Sequence, residues 1–215
     1  MDSSKSTESL TDDSKNILLS SAYLAPVEYY VQLTQADRVS IEKQEYYIKQ
    51  TYRNRCHIAT ANGIMALSIP VEKPSTGKAL TRDIRISEHG DWQLMHWRSI
   101  ESAYNSSPFF EYYKDDLWPF YKKKWNFLWD FNQEIQSKMI ELLDIDPTIH
   151  YTSDYVVTPD GLTDLREQIH PKKPLLQPAQ TYYQVFEQKF GFQAGLSIID
   201  LLFNMGNESL LILSK

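Results

Sequence analysis

The sequence predicts an α/β fold in which a βαβ-like unit opens a mixed sheet and a helix-rich C-terminal half follows. Two observations carry this prediction. Short apolar runs at residues 16–20 and 38–42 flank a helical segment, as in a strand–helix–strand unit. From about residue 91 onward, apolar side chains recur mainly at the three- and four-residue spacing of amphipathic helices.

The opening unit is predicted from local sequence alone. The run Asn-Ile-Leu-Leu-Ser at 16–20 indicates a buried strand. Pro26 has a fixed φ and can open a helix, which we predict over residues 27–36. Residues 38–42 form the second predicted strand. Because the helix crosses between them, these two strands are expected to be parallel.

A hairpin and a further strand come next. Apolar runs at 56–59 and 64–71 are separated by Asn62 and Gly63, a pair typical of tight hairpin turns. Residues 81–86 alternate between apolar and polar side chains, which predicts a half-exposed strand.

Three helices are predicted after these strands. Asp91 is a suitable N-cap for a helix over 92–105, and a second, long helix is predicted over 116–143. A closing helix over 196–203 is expected to end at Gly206. Two shorter segments are predicted as a strand and a helical turn, at 148–157 and 163–169.

Composition limits the cellular context and the partners. The chain has 215 residues and a net charge of −6, which excludes a global basic field for nucleic acid or anionic membranes. A single cysteine excludes internal disulfides and favours a reducing compartment. The polar N-terminus is not expected to be a signal peptide, and no apolar run is long enough to predict a membrane helix. We predict a cytoplasmic protein with a disordered tail at 1–15 and one domain at 16–215.

The segment from Glu42 to His57 contains the first candidate site. It lies between two apolar runs, as a functional loop on a rigid scaffold does. Arg53 and Arg55 alternate, so on an extended backbone both guanidinium groups point the same way and can bind a carboxylate or phosphate. The alternative is that these arginines pair with Glu42, Glu45 or another internal acid.

Three residues are candidates for catalysis. Glu45 can act as a general base if its surroundings raise its pKa, and Lys49 can supply an amine, although a solvated lysine is the common alternative. His96 is the best acid–base group if it lines a cleft, and otherwise a hydrogen-bonded core histidine. The five histidines are scattered, so no metal site is predicted, and the sequence specifies no cofactor.

Two further side chains have a structural interpretation. Cys56 and His57 are neighbours on a predicted strand and therefore face opposite sides, so the histidine is badly placed to activate the thiol. We predict that Cys56 is a small buried hydrophobe. Asn132 interrupts an apolar helical stripe, and a buried amide requires a hydrogen-bond partner.

Ordered motifs cover almost everything after residue 16, among them A-Y-L-A-P-V-E-Y-Y (22–30), K-Q-T-Y-R-N-R (49–55), W-x-x-x-H-W-R-S-I-x-x-A-Y (92–104) and L-S-I-I-D-L-L-F-N-M-G (196–206). On these motifs the chain resembles the WbqC-like family of bacterial proteins. The family usually has Gln-Pro near the start of the first motif, where this chain has Ser20 and Ser21. The family's motif positions in this sequence are Tyr23, Pro26, Lys49, Arg53, Asn54, Arg55, His96, Arg98, Tyr104, Asp200 and Asn204.

The resemblance implies an enzyme of surface-polysaccharide synthesis. Its substrate would be an anionic small molecule, such as a nucleotide-linked or phosphorylated sugar, or an acyl or aminoacyl donor. The sequence leaves acyl, aminoacyl and nucleotidyl transfer open. Arg53 and Arg55 would hold the anionic group, and His96, Glu45 or Lys49 would do the chemistry. The remaining substrate-binding candidates are Tyr23, Asn54, Arg98 and Tyr104. The alternative function is a non-catalytic anion- or ligand-binding protein that uses the same arginines.

Overall fold

The structure, a computed structural model, describes residues 15–74, 77–157 and 159–214. The predicted disordered tail therefore lies outside the described residues except for Lys15. The backbone N–H of Lys15 donates to Asp37 Oδ2 at 2.7 Å, and its carbonyl accepts from the Asp37 N–H at 3.0 Å. Lys15 thus belongs to the folded part of the chain and not to the tail.

The predicted βαβ opening is confirmed. Strand β1 (Asn16–Ser20) leads through helix α1 (Val27–Gln35) to strand β2 (Arg38–Glu42), which pairs parallel to β1. The register places Ser20 opposite Glu42, so both side chains lie at the carboxyl edge of the sheet. Most of the residues in both strands are buried, as expected for parallel strands that are covered on both faces.

The predicted hairpin is also confirmed, as a separate two-stranded sheet. Strand β3 (Arg55–Thr60) pairs antiparallel with β4 (Gly63–Ser68), and Arg55 lies opposite Ser68. The strand predicted over 81–86 is wrong at its start, where residues Thr81–Asp83 form a short 3-10 helix. Arg85 and Ile86 form isolated antiparallel bridges, with Phe127 and Val71, instead of a continuous strand.

Helix α2 (Trp92–Tyr104) matches its prediction within one residue, although the Asp91 side chain makes no capping hydrogen bond. The single long helix is wrong, since α3 (Phe110–Lys122) and α4 (Leu128–Leu142) replace it. The break has a physical cause. The backbone carbonyl of Asn126 accepts from the Ile86 N–H at 3.0 Å, and the Leu128 N–H donates to the Ile84 carbonyl at 2.9 Å. The Asn126 carbonyl and the Leu128 N–H are therefore hydrogen-bonded to residues 84–86 and not to neighbouring helical turns.

Two late strands complete the parallel sheet. Strand β5 (Ile149–Tyr151) pairs with β2, and β6 (Thr163–Asp164) pairs with β1, giving the order β5-β2-β1-β6 with all neighbours parallel. Strand β5 confirms part of the predicted strand at 148–157. The helical turn predicted at 163–169 is wrong at its start, where two residues join the sheet.

The chain ends in three short helices, α5 (Glu187–Phe190), α6 (Ile198–Met205) and α7 (Ser209–Leu213). Helix α6 ends at Gly206 as predicted, but α7 follows and closes against α1. Strands β1 and β2 and all the α-helices except α5 contribute buried side chains to the core, which contains large buried rings such as Tyr23, Phe110, Phe131 and Phe203. Among the described residues, no helix combines the length and apolarity needed to cross a membrane.

Candidate functional site

A cleft of about 540 Å³ opens beyond the carboxyl ends of the parallel strands. We call it the carboxyl-edge cleft. In the strand order β5-β2-β1-β6, strand β2 follows β1 in sequence and lies on one side of it, whereas β6 lies on its other side. The strand order therefore switches direction at β1. Ligands of open parallel sheets bind at such a switch in strand order, beyond the carboxyl ends. The cleft is lined by Gln44, Glu45, Tyr46, Ile48, Leu80, Tyr155, Asp164, Arg166 and Glu167.

Glu45 forms a buried ion pair at the base of this cleft. Arg53 Nε donates to Glu45 Oε1 at 2.8 Å, and Arg53 NH2 donates to Oε2 at 2.5 Å. Ser20, at the end of β1, donates from Oγ to Glu45 Oε2 at 3.0 Å and accepts from Arg53 NH2 at 2.7 Å. Glu45 is only 4% exposed and Arg53 only 2%. The sequence alternative in which Arg53 pairs with an internal acid is therefore the observed arrangement.

Burial and hydrogen bonding have opposite effects on the pKa of each member of the ion pair. Burial raises the pKa of Glu45, and the hydrogen bonds from Arg53 and Ser20 oppose this rise. Burial also disfavours the charge on Arg53, but Glu45 and Glu167 outweigh it and raise the pKa of the guanidinium. Glu45 is thus a carboxyl group held in a fixed orientation with elevated proton affinity.

A second arginine, Arg166, also lines the cleft. Arg166 donates to Asp164 from Nε at 3.0 Å and from NH2 at 2.6 Å, and its NH1 contacts Glu42 Oε2 at 3.3 Å. Glu42, at the end of β2, also accepts from Thr152 Oγ1 at 2.6 Å. Arg166 therefore ties the ends of β2 and β6 together.

The charges around the cleft are predominantly acidic. Glu42, Glu45, Asp164 and Glu167 supply four carboxyl groups and the two arginines supply two guanidinium groups, so this cluster carries a formal charge of −2 when all are ionised. Both guanidinium groups are bound to carboxylates of the protein. An anionic ligand deep in this cleft would meet more negative than positive charge.

Exposed aromatic rings border the cleft. Tyr46 is 58% exposed and Tyr155 is 51% exposed. The Lys78 ammonium lies 5.8 Å from the Tyr46 ring centre, and the Arg166 guanidinium lies 5.0 Å from the Tyr155 ring centre. Each ring thus has a cation over one face, and both rings line the same cleft as Glu45, Asp164 and Glu167.

The other residues of the predicted arginine segment have different surroundings. Arg55 Nε donates to Ser68 Oγ across the hairpin at 2.9 Å, whereas Arg53 bonds to Glu45, so the two guanidinium groups serve separate partners. Asn54 Nδ2 donates to the Ile69 carbonyl at 2.8 Å and anchors the end of β4. Lys49 and Arg98 are exposed, and neither lines the carboxyl-edge cleft.

His96 and Tyr23 lie in the core. The Tyr23 hydroxyl is 3.1 Å from His96 Nδ1 and 2.8 Å from the Tyr121 hydroxyl. Burial lowers the pKa of His96 to about 4, and a hydrogen bond to the Ser68 backbone opposes this fall. His96 is thus a neutral core histidine, which is the alternative that the sequence left open. Cys56 is fully buried, as predicted, and burial raises the pKa of its thiol.

Tyr104 belongs to another buried cluster. Its hydroxyl donates to Asp200 Oδ1 at 2.9 Å, while Tyr182 and Gln184 donate to Oδ2 at 2.8 and 3.0 Å. Burial raises the pKa of Asp200 to about 6, against the opposing effect of these three donors. Asn204 Nδ2 donates to the Asp200 carbonyl at 2.7 Å. These motif residues join α2 to α6, and none of them lines the carboxyl-edge cleft.

Sequence reasoning missed part of the site. Asp164, Arg166 and Glu167 were not among the candidates, because 163–169 resembled a helical turn. Ser20 was noted only as a departure from the family motif. The charged run Asp-Leu-Arg-Glu at 164–167 was the available clue. Within the described ranges, no three histidine, cysteine, aspartate or glutamate side chains are grouped as metal ligands.

Asn132 satisfies the prediction of a partnered buried amide only in part. Its Nδ2 donates to the Arg53 carbonyl at 2.8 Å and to Ser21 Oγ at 3.2 Å, whereas its Oδ1 has no partner. Helix α4 therefore supports the backbone of the arginine that holds Glu45.

Comparison with known proteins agrees with the motifs. The chain is similar to the uncharacterized protein Rv1507c of Mycobacterium tuberculosis, with 26% identity over 222 residues that cover 91% of this chain and 95% of the relative. No solved structure matches it. Residues 21–173, which include Glu45, Arg53 and Arg166, match the WbqC-like protein family. The chain therefore belongs to the WbqC-like protein family.

Proposed function

We propose that this protein is an enzyme of surface-polysaccharide synthesis that binds the sugar part of its substrate in the carboxyl-edge cleft. The observation that carries the proposal is the position of carboxylates and exposed tyrosine rings beyond the carboxyl ends of three parallel strands. The link to surface polysaccharides comes from the family resemblance. The reaction classes that fit are acyl, aminoacyl and nucleotidyl transfer to or from a sugar.

Chemistry favours a sugar over a bare anion at this place. Carboxylate oxygens accept strong hydrogen bonds from hydroxyl and ammonium groups, both of which sugars supply. The exposed faces of Tyr46 and Tyr155 offer flat apolar surface to the C–H face of a sugar ring. A phosphate of a nucleotide sugar would lie at the rim, near Lys78, because the cluster at the base carries excess negative charge.

Glu45 is the residue we assign to proton transfer. It lines the cleft, and its pKa is raised by burial, which suits a carboxyl group that gains and loses a proton during a reaction. It would accept the proton of a sugar hydroxyl or amine as that group attacks the donor. Arg53 is a positioning residue, since it acts through Glu45.

A non-catalytic binding protein is the second candidate. One observation favours it, since both Glu45 oxygens already accept hydrogen bonds from Arg53 or Ser20. Under this alternative the cleft recognises a sugar without changing it. The two candidates share a binding site and differ only in turnover.

Binding is tested by thermal unfolding with UDP-N-acetylglucosamine, UDP-glucose, UDP and free N-acetylglucosamine. A ligand at 100 times its dissociation constant adds about 2.7 kcal/mol of stability. We expect at least one nucleotide sugar to stabilise the protein more than UDP does. Glu167→Gln and Tyr155→Ala should reduce this stabilisation, whereas Glu134→Gln and Tyr112→Ala, which alter an exposed carboxylate and a 76% exposed tyrosine on α4 and α3, should not. Equal effects of UDP and its sugar conjugates would contradict the proposal.

Turnover separates the two candidates. Nucleotide sugars that bind are incubated with acetyl-CoA, or with ATP and mixed amino acids, and the masses of the products are measured. If the protein is an enzyme, the wild type should form a product. The Glu45→Gln variant should still bind the sugar but form no product. Sugar binding with no product from any donor would favour the binding protein.

A further inference from the structure

A second cleft, of about 240 Å³, lies between α1 and the loop at 175–195. We call it the α1 cleft. Its walls are mainly apolar and include Val27 and Val31 of α1, Phe192 of the loop and Ile212 of α7. It shares no lining residue with the carboxyl-edge cleft. The two clefts are therefore separate candidate sites.

One carboxylate interrupts the apolar wall. Glu28, in the first turn of α1, lines the cleft and is half-buried. Its Oε2 accepts from the Leu176 N–H at 3.1 Å. Burial raises the pKa of Glu28, and this backbone hydrogen bond opposes the rise.

Glu28 differs from the acids of the carboxyl-edge cleft in its lack of a cation. Glu45 and Asp164 each contact an arginine within 4 Å, whereas Glu28 forms no ion pair with any residue of the described ranges. A partly desolvated carboxylate without a counter-ion is unfavourable, and a bound cation would offset this cost. The neighbouring side chains Gln177, Gln180 and Gln193 are uncharged and do not provide one.

We propose that the α1 cleft binds a small organic ammonium ion, with its ammonium group against Glu28 and its apolar body between Val31 and Phe192. Size supports this occupant, because an apolar cavity of about 150 Å³ holds benzene. The α1 cleft at about 240 Å³ accommodates a phenyl ring with a short alkyl chain. The proposal does not depend on the sugar site.

The test uses the full chain and three probes that share one apolar body, namely phenethylamine, 2-phenylethanol and 3-phenylpropionate. Binding is measured by calorimetry and by amide chemical shifts. Phenethylamine should bind at least tenfold more tightly than 2-phenylethanol, and 3-phenylpropionate more weakly than either. The amine should shift amides of α1 and the 175–195 loop. Equal affinities for the three head groups, or amide shifts elsewhere, would overturn the proposal.

Variants separate charge recognition from burial. Glu28→Gln should weaken phenethylamine at least tenfold and leave 2-phenylethanol unchanged, whereas Glu134→Gln on α4 should change neither. Ala194→Trp covers the cleft from an exposed position and should weaken both probes without unfolding the chain. Unchanged amine binding in Glu28→Gln or in Ala194→Trp would overturn the assignment. If Glu28→Gln fails to fold, the head-group series on the wild-type chain and Ala194→Trp still decide it.

Discussion

Arg53 holds the Glu45 carboxylate through two parallel hydrogen bonds, from Nε to Oε1 at 2.8 Å and from NH2 to Oε2 at 2.5 Å. This fork fixes the orientation of a carboxyl group that burial alone would push toward its neutral form. The pair joins the loop before β3 to the carboxyl edge of the sheet through Ser20. The same contact is therefore part of the fold and of the proposed site.

The first prediction concerns the energetics of this pair. Arg53→Met and Glu45→Leu should each destabilise the protein by about 3–5 kcal/mol, because each removes the bidentate partner of a buried charge. In Glu45→Leu, the carboxylate that remains in contact with Arg53 among the described residues is that of the half-exposed Glu167, at 3.2 Å. The double variant should lose much less than the sum, with a coupling of at least about 2 kcal/mol. Urea unfolding measures all three. The partly exposed pair Lys138 and Glu141, treated the same way, should show coupling of about 0.5 kcal/mol. Additive losses for Arg53 and Glu45 would count against a coupled pair.

The second prediction concerns Asp200. Its pKa is raised from 3.8 to about 6, so the folded state binds the proton more tightly than the unfolded chain. The resulting stabilisation is fully present below about pH 4 and is lost as the pH rises through about 6. The free energy of unfolding of Asp200→Asn, relative to wild type, should therefore increase by roughly 2–3 kcal/mol from pH 4 to pH 7. A difference that stays constant with pH would show that Asp200 titrates normally.

The third prediction has the opposite sign. Burial lowers the pKa of His96 from 6.5 to about 4, so the folded state resists protonation. The contribution of His96 is complete above about pH 6.5 and is lost as the pH falls through about 4. The free energy of unfolding of the wild type, relative to that of His96→Gln, should increase by roughly 3 kcal/mol from pH 4 to pH 7. Exposed His89→Gln controls for the loss of an imidazole. An NMR titration that places the pKa of His96 near 6.5 would contradict its burial as a neutral ring.

The fourth prediction concerns Gly206 at the end of α6. Its φ is +55°, and an added Cβ would lie 2.8 Å from two ring carbons of Phe109. Gly206→Ala should therefore cost about 1–3 kcal/mol more than backbone strain alone. Gly161→Ala supplies that reference, since its φ is +69° and its surroundings are open. Equal losses of melting temperature in the two variants would mean that Phe109 moves aside freely.

Local sequence patterns were sufficient to predict the elements that pair with segments close to them in sequence. The βαβ unit and the hairpin at Asn62 and Gly63 were predicted because their partners lie within a few dozen residues. The break between α3 and α4 was not predicted, since the aromatic spacing continues through it. It depends on backbone hydrogen bonds between Asn126 and Ile86, which no local pattern reveals.

The site residues that lie close together in sequence were also predicted, whereas those that lie far apart were not. Glu45 and Arg53 lie eight positions apart and were identified together from one charged segment. Arg166 contacts Glu42 across a separation of 124 residues, and only the parallel sheet brings them together. His96 could not be assigned to core or cleft, because it lies on the apolar face of α2, and such a face can either enter the core or line a cleft.

The most direct test of the proposed sugar site is an amide chemical-shift titration with UDP-N-acetylglucosamine, compared with UDP alone. The largest shifts specific to the sugar should fall on residues 44–48, on Tyr155 and on residues 164–167, which surround the carboxyl-edge cleft. Glu167→Gln should reduce them. Sugar-specific shifts centred on another surface, or shifts identical to those of UDP, would contradict the assignment of this cleft as the sugar site.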